Sequence, residues 1–452
     1  MNFLSLIFLV FFILSFLIYW NLPRRMRVGF LIAASLFYYG FYSPAFLLHF
    51  LIVIAVNFFL AVKIAESRNR SLAGTAVTLN ILHLVFFKYF NSALAMIAPA
   101  VGIADPGTFK VVMPLAISFY TFQFIAFQVD CLRGLVTKPE GGKFFLFMLF
   151  FPHLISGPIL RSGDFYGQVG NEVESKEGQT RGLYLVALGL IKKLFIADVL
   201  GYLINPVFKA PADYGSGDAL LAIFGYAAQI YCDFSGFIDI ARGMARLFGY
   251  DMPVNFRSPY FSTSFSELWT RWHITLSAFI REYIYFPLGG NRVGVGRQYF
   301  NLFVAMVLSG IWHGETANFL IWGVLHGLYL CIEKILKVGK QPANRFWWLV
   351  RNIWVVAGWS FAFVFFRASD FKSAVTLLGQ VFVWKNITLA FPLILALIVL
   401  TWIVQYLEMR RDALLAFILP RRAVFLPAVL VLIWFLISRV QIPNEAFIYV
   451  QF

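Results

Sequence analysis

Asn301–Leu330, NLFVAMVLSGIWHGETANFLIWGVLHGLYL, decides how the rest of the chain is read. Two apolar runs flank a short polar break, and His313 sits in that break between Trp312 and Gly314. An ionisable group among such runs is expensive to keep at membrane depth, so it marks either function or a buried structural pair. Gly310 and Gly314 permit close backbone approach around it, and Glu315 and Thr316 add polarity. Neutral imidazole suits the removal of a proton from a hydroxyl near neutral pH, which makes His313 a candidate general base. The plainer reading is a histidine bonded to a carbonyl at a helix end.

The rest of the chain extends the membrane reading. Of 452 residues, 60% are hydrophobic and 13% charged, roughly half the charged fraction of a soluble domain. Runs such as Leu4–Trp20, Phe46–Val62, Ala219–Tyr231 and Thr388–Tyr406 approach the ~20 residues that cross hydrocarbon as a helix. Barrel strands would alternate at period two, and these do not. The expected fold is an all-α polytopic membrane protein with roughly twelve full or partial crossings on the positive-inside rule. Asn301–Ile311 is the shortest of them, and Phe371–Trp384 reads as amphipathic and surface-lying. Leu4–Trp20 lacks the basic start and small-residue cleavage site of a signal peptide. Arg24, Arg25 and Arg27 after it place the N-terminus outside the cell. Lys334, Lys337, Lys340, Arg410 and Arg411 mark inner loops, which puts Gln441–Phe452 outside. Asp105-Pro106-Gly107 falls in an outer loop.

The net charge of +15 is scattered between apolar segments. With no basic helix or aromatic-interleaved patch, no nucleic-acid partner is expected. The three cysteines offer no disulfide framework. No HxxxH or CxxC pattern occurs, and His49, His83 and His153 read as standing alone, so no metal site is expected.

A second polar island, Leu268–His273, holds His273 beside Trp272; its plainer reading is an interfacial histidine in an aromatic belt. His326 lies thirteen residues beyond His313. A helix through both separates them by ~20 Å, which leaves His326 a packing or gating residue. Phe144–Phe151 is too short to cross, and Pro152, Gly157 and Pro158 stop it, as in a re-entrant piece. Lys192 and Lys193 are expected near an interface, where their side chains snorkel. Asp233–Arg246 reads as a helix with Asp239, Arg242 and Arg246 on one face, a buried ion network. Gly289-Gly290-Asn291-Arg292, with Gly294, Gly296 and Arg297, matches no phosphate-loop pattern. A rival function is a saccharide or lipid-precursor transporter with Asp233, Asp239 and Glu267 along its path, although no internal repeat supports it.

Several stretches together resemble a known family. They are Pro114–Gln123 (PLAISFYTFQ), Phe151–Ile159 (FPHLISGPI), Tyr231–Gly236 (YCDFSG), Arg271–Ser277 (RWHITLS), Pro287–Arg292 (PLGGNR), Gly310–Gly314 (GIWHG) and Phe365–Ala368 (FFRA). They are similar to the membrane-bound O-acyltransferase superfamily, in the bacterial branch of the alginate O-acetyltransferase membrane subunit. The resemblance implies one membrane domain over 1–452, with N-terminal helices to 143, a catalytic core over 144–340 and C-terminal helices over 341–452. It implies a ring of tilted helices around a thinned core with an outer funnel and a tunnel. His313 matches the family's catalytic histidine. His273 matches a second position that is often Asn or Asp in eukaryotic relatives, and the two histidines are expected to face each other across the thinned core. Thr270 stands where a basic residue is expected.

Relatives take acyl groups from a cytoplasmic thioester, coenzyme A or a carrier-protein arm, and hold no resident cofactor. Bacterial members pass the group to extracytoplasmic polysaccharide, peptidoglycan or teichoic acid, commonly through a second acyltransferase protein. The expectation is therefore an O-acetyltransferase of the bacterial inner membrane, moving an acetyl or other short acyl group outward to a polysaccharide such as alginate. Arg257, Arg292 and Arg297 are the candidates for the donor's phosphates, which arginine binds through charge-assisted pairs.

Overall fold

A computed structural model describes residues 3–98, 110–155, 157–338, 342 and 344–439. Asp105–Gly107, Ser156, Lys340 and Gln441–Phe452 lie outside the described residues. All regular structure among the described residues is helical. The chain divides into two compact units, one of Met1–Val186, Ile240–Pro253 and Val429–Ser438, the other chiefly of Ala187–Asp239 and Val254–Ala428.

The first unit contains α1 (Leu6–Asn21), α2 (Arg24–Tyr42), α3 (Pro44–Ser67), α4 (Arg70–Ile97), α5 (Ile117–Arg133), α6 (Gly141–Leu149), α7 (Phe151–Leu154), α8 (Ser162–Phe165) and most of α9 (Lys176–Leu190). The helix expected to fail near Pro152 does so: α6 and α7 are short pieces separated at Phe150, and both are largely buried. Of the three arginines after α1, Arg27 is engaged internally, 3.2 Å from Glu172 and over the Trp20 ring. His49 and His83 do not stand alone. Their rings stack at 5.1 Å with the two Nε2 atoms 3.0 Å apart, because α3 and α4 are antiparallel neighbours that bring distant positions level. His153 has a backbone partner, the Phe147 carbonyl at 3.1 Å.

The second unit holds a π-helical turn at Ile191–Ala197, then α10 (Asp198–Lys209) and most of α11 (Ser216–Leu247). The short α12 (Phe265–Arg271) and α13 (Ile274–Ile280) follow, then α14 (Val295–His313), α15 (Ala317–Ile335), α16 (Arg345–Arg367), α17 (Phe371–Gln380), α18 (Phe391–Met409) and α19 (Arg411–Ile418). A last helix, α20 (Arg422–Arg439), ends the described chain. Six helical stretches among the described residues are long and apolar enough to cross a membrane: α3, α4, α11, α16, α18 and Arg411–Leu436. The larger crossing number expected from the sequence also included shorter pieces.

Lys192 and Lys193 correct the sequence reading. Neither snorkels; both are buried. Lys192 pairs with Asp239 and, at 2.6 Å, with Glu408, while Lys193 pairs with Asp198 at 2.5 Å and Asp233 at 2.6 Å. Adjacent residues of a helical turn point to different sides, so burying both demands acids on two sides, and α10, α11 and α18 supply them. The face expected to form one network along α11 thus sends Asp239 to Lys192. Further along, Arg242 donates to the Met252 carbonyl at 3.2 Å and Arg246 pairs with Asp251 at 2.5 Å.

The hairpin α14–α15 rests on glycines. A methyl on Gly323 would lie 2.7 Å from the Met306 carbonyl oxygen and 3.1 Å from the Val307 Cα, both rigid backbone. Gly323→Ala should therefore lower the thermal midpoint of the detergent-purified protein by several degrees, as overpacking by ~1–3 kcal/mol does. Gly74→Ala, which meets nothing within 4 Å, should leave it unchanged or raise it. Equal midpoints for the two variants would show that the hairpin is not closely packed.

Candidate active site

His313 closes α14. Gly314 follows with fully extended backbone, and Thr316 precedes the first turn of α15, so the polar break of the sequence is a sharp reversal. Asn318 donates to the Ala368 carbonyl at 3.0 Å and fixes the start of α15 to the end of α16. The His313 imidazole is buried among Trp312, Trp322 and Phe366, with ring centroids at 4.7, 5.0 and 5.1 Å, all edge-on. Three aromatic walls leave the ring little freedom to turn.

His273 belongs to the irregular stretch between α11 and α13. Non-helical backbone in a membrane protein survives only where protein satisfies its polar groups, and three helices do so here. From α18, Gln405 accepts from the Ser258 hydroxyl at 2.7 Å and from the Tyr260 N–H at 3.0 Å. From α16, Asn352 donates to the Tyr260 and Ser262 carbonyls at 2.8 and 2.9 Å. Glu333 of α15 accepts from the N–H groups of Phe265 and Ser266 at 2.5 and 2.9 Å and so caps α12.

At the end of this stretch His273 is the N-cap of α13, with a left-handed backbone at φ 41°. Its Nδ1 lies 3.3 Å from Asn255 Oδ1, which also accepts from the Thr275 N–H and hydroxyl, each at 3.0 Å. An oxygen accepting from a backbone N–H is an acceptor throughout, so the proton sits on Nδ1 and Nε2 carries the lone pair. His273 lies outside the six membrane-length stretches, and burial pushes its imidazole down to about 3, which keeps it neutral. Nothing in the local pattern marks Asn255 as a partner of His273. Its role depends on a partner eighteen residues away and on a turn whose shape no local pattern announces.

Both predicted histidines fall in one unit and border one aromatic block. His273 packs on Phe234 at 4.7 Å, and Trp272 beside it packs on Trp359 and Phe363 at 5.0 and 5.7 Å. Phe363 in turn meets Phe366, a wall of the His313 box, at 5.6 Å. His326 departs from expectation. The chain breaks at Gly314–Thr316 and doubles back, so a single ring, Trp322, touches both histidines, at 5.0 Å for His313 and 4.6 Å for His326.

A cleft of about 670 Å³ opens in the same unit, lined by residues of α12 (Ser266, Glu267, Thr270) and of α15 and its end (Leu330, Glu333, Lys334, Lys337). Arg257, Arg292 and Arg297 are exposed. The basic groups of the cleft lining are Lys334 and Lys337. Lys334 donates to Gln298 at 2.9 Å, the neighbour of Arg297. Gly289 and Gly290 turn the chain here with φ of 109° and 53°, which makes the glycine pair a turn into α14. Among the described residues no three His, Cys, Asp or Glu side chains converge as a metal site would need.

Residues 37–373 match the model of the membrane-bound O-acyltransferase family. The chain belongs to this family. A probable alginate O-acetylase, AlgI, of Pseudomonas putida is 35% identical over 426 residues, 90% of this chain and 86% of that protein. The peptidoglycan O-acetyltransferase of Helicobacter pylori is 32% identical over 385 residues, 77% of this chain and 72% of its own. The teichoic acid D-alanyltransferase of Streptococcus thermophilus is 28% identical over 274 residues, 57% and 66%. The membrane-bound O-acyltransferase described here is thus a multi-pass membrane enzyme. The carboxylates proposed to line a transport path are engaged in ion pairs: Asp233 with Lys193, Asp239 with Lys192 and Glu267 with Arg271.

Proposed function

We propose that this enzyme moves an acetyl or other short acyl group from a cytoplasmic thioester to hydroxyls of an extracytoplasmic polysaccharide, through a partner acyltransferase, in a bacterial inner membrane. The observation that carries this reading is the layout of α15. The helix begins beside His313 and ends in the lysine-lined cleft, and nineteen residues span about 28 Å. A donor entering at one end and an acceptor arriving at the other meet along one helix.

In the reaction, His313 takes the proton of the attacking hydroxyl as its oxygen bonds to the thioester carbonyl carbon. The carbon–sulfur bond then breaks, and the thiolate recovers that proton from the His313 imidazolium. The Nδ1–H tautomer of His273 makes its Nε2 an acceptor. That suits a hydrogen bond from the hydroxyl or the departing thiol and does not suit polarising a carbonyl oxygen. Lys334 and Lys337, with Arg292 and Arg297 nearby in sequence to Gln298, offer cations to the phosphates of a coenzyme A or carrier-arm donor.

The direct test supplies radiolabelled acetyl thioester to the cytoplasmic face of membrane vesicles that enclose the partner protein and polymer. Label should reach the enclosed polymer, and a His313→Ala membrane should transfer at least about a hundred-fold less; label confined to the donor side would end the outward-transfer reading. Sidedness is tested separately. In a background lacking Cys131, Cys232 and Cys331, a cysteine at Ser43 should react with an impermeant thiol reagent in intact cells, and one at Arg410 should not. The reverse pattern would invert the topology and remove cytoplasmic donor entry.

A further inference from the structure

Arg367 closes α16 with a charge that no acid answers. Its side chain is half-buried. The guanidinium donates through Nη2 to Asn205 Oδ1 and lies over the rings of Phe208 and Tyr226, at 5.6 and 6.0 Å. No carboxylate among the described residues pairs with it. Asp370, the nearest acid along the chain, caps α17 instead and accepts from Ser369 and Ser373. The same unit treats other cations differently, since Lys192 and Lys193 each hold two carboxylates. Arginine never sheds its charge in a protein, and one withdrawn from water is almost always paired. The end of α16 favours a cation but gives the guanidinium no acceptor. Its Nε and Nη1 groups carry no bond among the described residues and keep accessible surface. Two aromatic faces and one amide thus orient a fork whose remaining edge stays open.

Arg367 stands between two residues committed to the His313 turn. Phe366 before it is a wall of the His313 box, and Ala368 after it takes the Asn318 bond that fixes the start of α15. Arg367 itself turns to α10 and α11. It therefore sits at the His313 end of α15, opposite the lysine-lined cleft, where the acceptor arrives in the proposed reaction. We infer that Arg367 is a recognition site for an acidic sugar chain, pairing a uronic acid carboxylate with its open guanidinium edge and so holding the polymer beside the turn that carries His313. Two parallel N–H groups match the two oxygens of a carboxylate, and a neutral sugar would leave the charge unanswered. Arg367 on this account selects the polymer and touches neither the acyl group nor the transferred proton. The inference deepens the reading that a polysaccharide is the acceptor, and rests on it.

The experiment uses the full chain purified in detergent and two probes, a short oligouronate and the same oligomer with its carboxyls reduced to alcohols. Binding is followed by the ligand-dependent rise in thermal midpoint. The wild type should bind the oligouronate at least about ten-fold more tightly than the reduced oligomer, with the preference fading in high salt. Arg367→Gln keeps a donor for Asn205 and removes the charge, so it should bind the two probes alike. Arg367→Lys keeps the charge without the fork and should retain part of the preference. Each ratio compares two ligands on one protein, so a change in stability alone does not move it. Phe208→Leu takes away a ring that orients the guanidinium and should shrink the preference, which keeps the test available if Arg367→Gln fails to fold. Equal binding of the two probes by the wild type would overturn the site. So would an undiminished preference in whichever of Arg367→Gln and Phe208→Leu folds. Binding of neither probe would also overturn it and leave a carboxylate of the partner protein as the ligand. None of these results touches the passage of label to the enclosed polymer. Absence of that passage in the wild type would instead remove the polysaccharide reading itself.

Discussion

Replacing His313 by Ala should reduce acyl transfer by about 10²–10⁴-fold, the usual contribution of a positioned acid–base group, with the protein inserted at its normal level. The fold has little reason to fail. His313 is the last residue of α14, where no further helical turn depends on it, and the hairpin is held by the glycine contacts and by Asn318 on Ala368. Loss of the ring opens a gap between Trp322 and Phe366. Membrane content and thermal midpoint near wild type, with transfer near background, is the expected result. A variant that transfers at more than a tenth of the normal rate would exclude a general base at this position, and equally a histidine that itself carries the acyl group as a nucleophile. Rapid quench with radiolabelled thioester separates those two roles, since only the carrier form leaves labelled protein.

Lys192→Met should have the largest effect on stability. The change keeps the length of the side chain but takes their shared cation from the buried Asp239 and the half-buried Glu408, which keeps only its bond from the Tyr231 hydroxyl. Breaking a buried pair from one side costs roughly 3–5 kcal/mol, and here two carboxylates lose the same cation. Poor accumulation and a much lower midpoint are expected. The triple variant Lys192→Met, Asp239→Asn, Glu408→Gln removes the stranded charges with the cation and should regain a large part of the loss. If the single variant melts like the wild type, water must reach these carboxylates and the cluster is not the clamp between α11, α18 and the π-helical turn described above.

The membrane class was legible because it depends on composition and run length, which are local. His313 stands out as a candidate for the same reason: the polar break, the flanking glycines and the apolar runs are contiguous in Asn301–Leu330. What depended on distant partners was not. Lys192 and Lys193 look like interfacial lysines until α10, α11 and α18 bring Asp198, Asp233, Asp239 and Glu408 to them. His326 appears far from His313 when residues are counted along one helix, and near it once the chain reverses at Gly314. The cleft draws its lining from three separated segments around Ser264–Thr270, Leu302 and Leu330–Val338, so no single motif encodes it. Helix ends were likewise blurred. The apolar run began at Asn301, whereas α14 starts at Val295, because exposed first turns carry no hydrophobic signature.

The left-handed backbone at His273 narrows what evolution can place there. Most side chains are disfavoured at a φ of 41°, and β-branched ones are genuine outliers. Glycine would satisfy the backbone and lose the polar contact with Asn255. Asn, Asp and His are the residues several-fold enriched in this conformation, and each presents a polar atom on a short stem. Drift at position 273 is therefore filtered twice, once by conformation and once by hydrogen bonding, before any demand of chemistry is applied. An exchange of His for Asn or Asp at this point is the trade that the backbone itself permits.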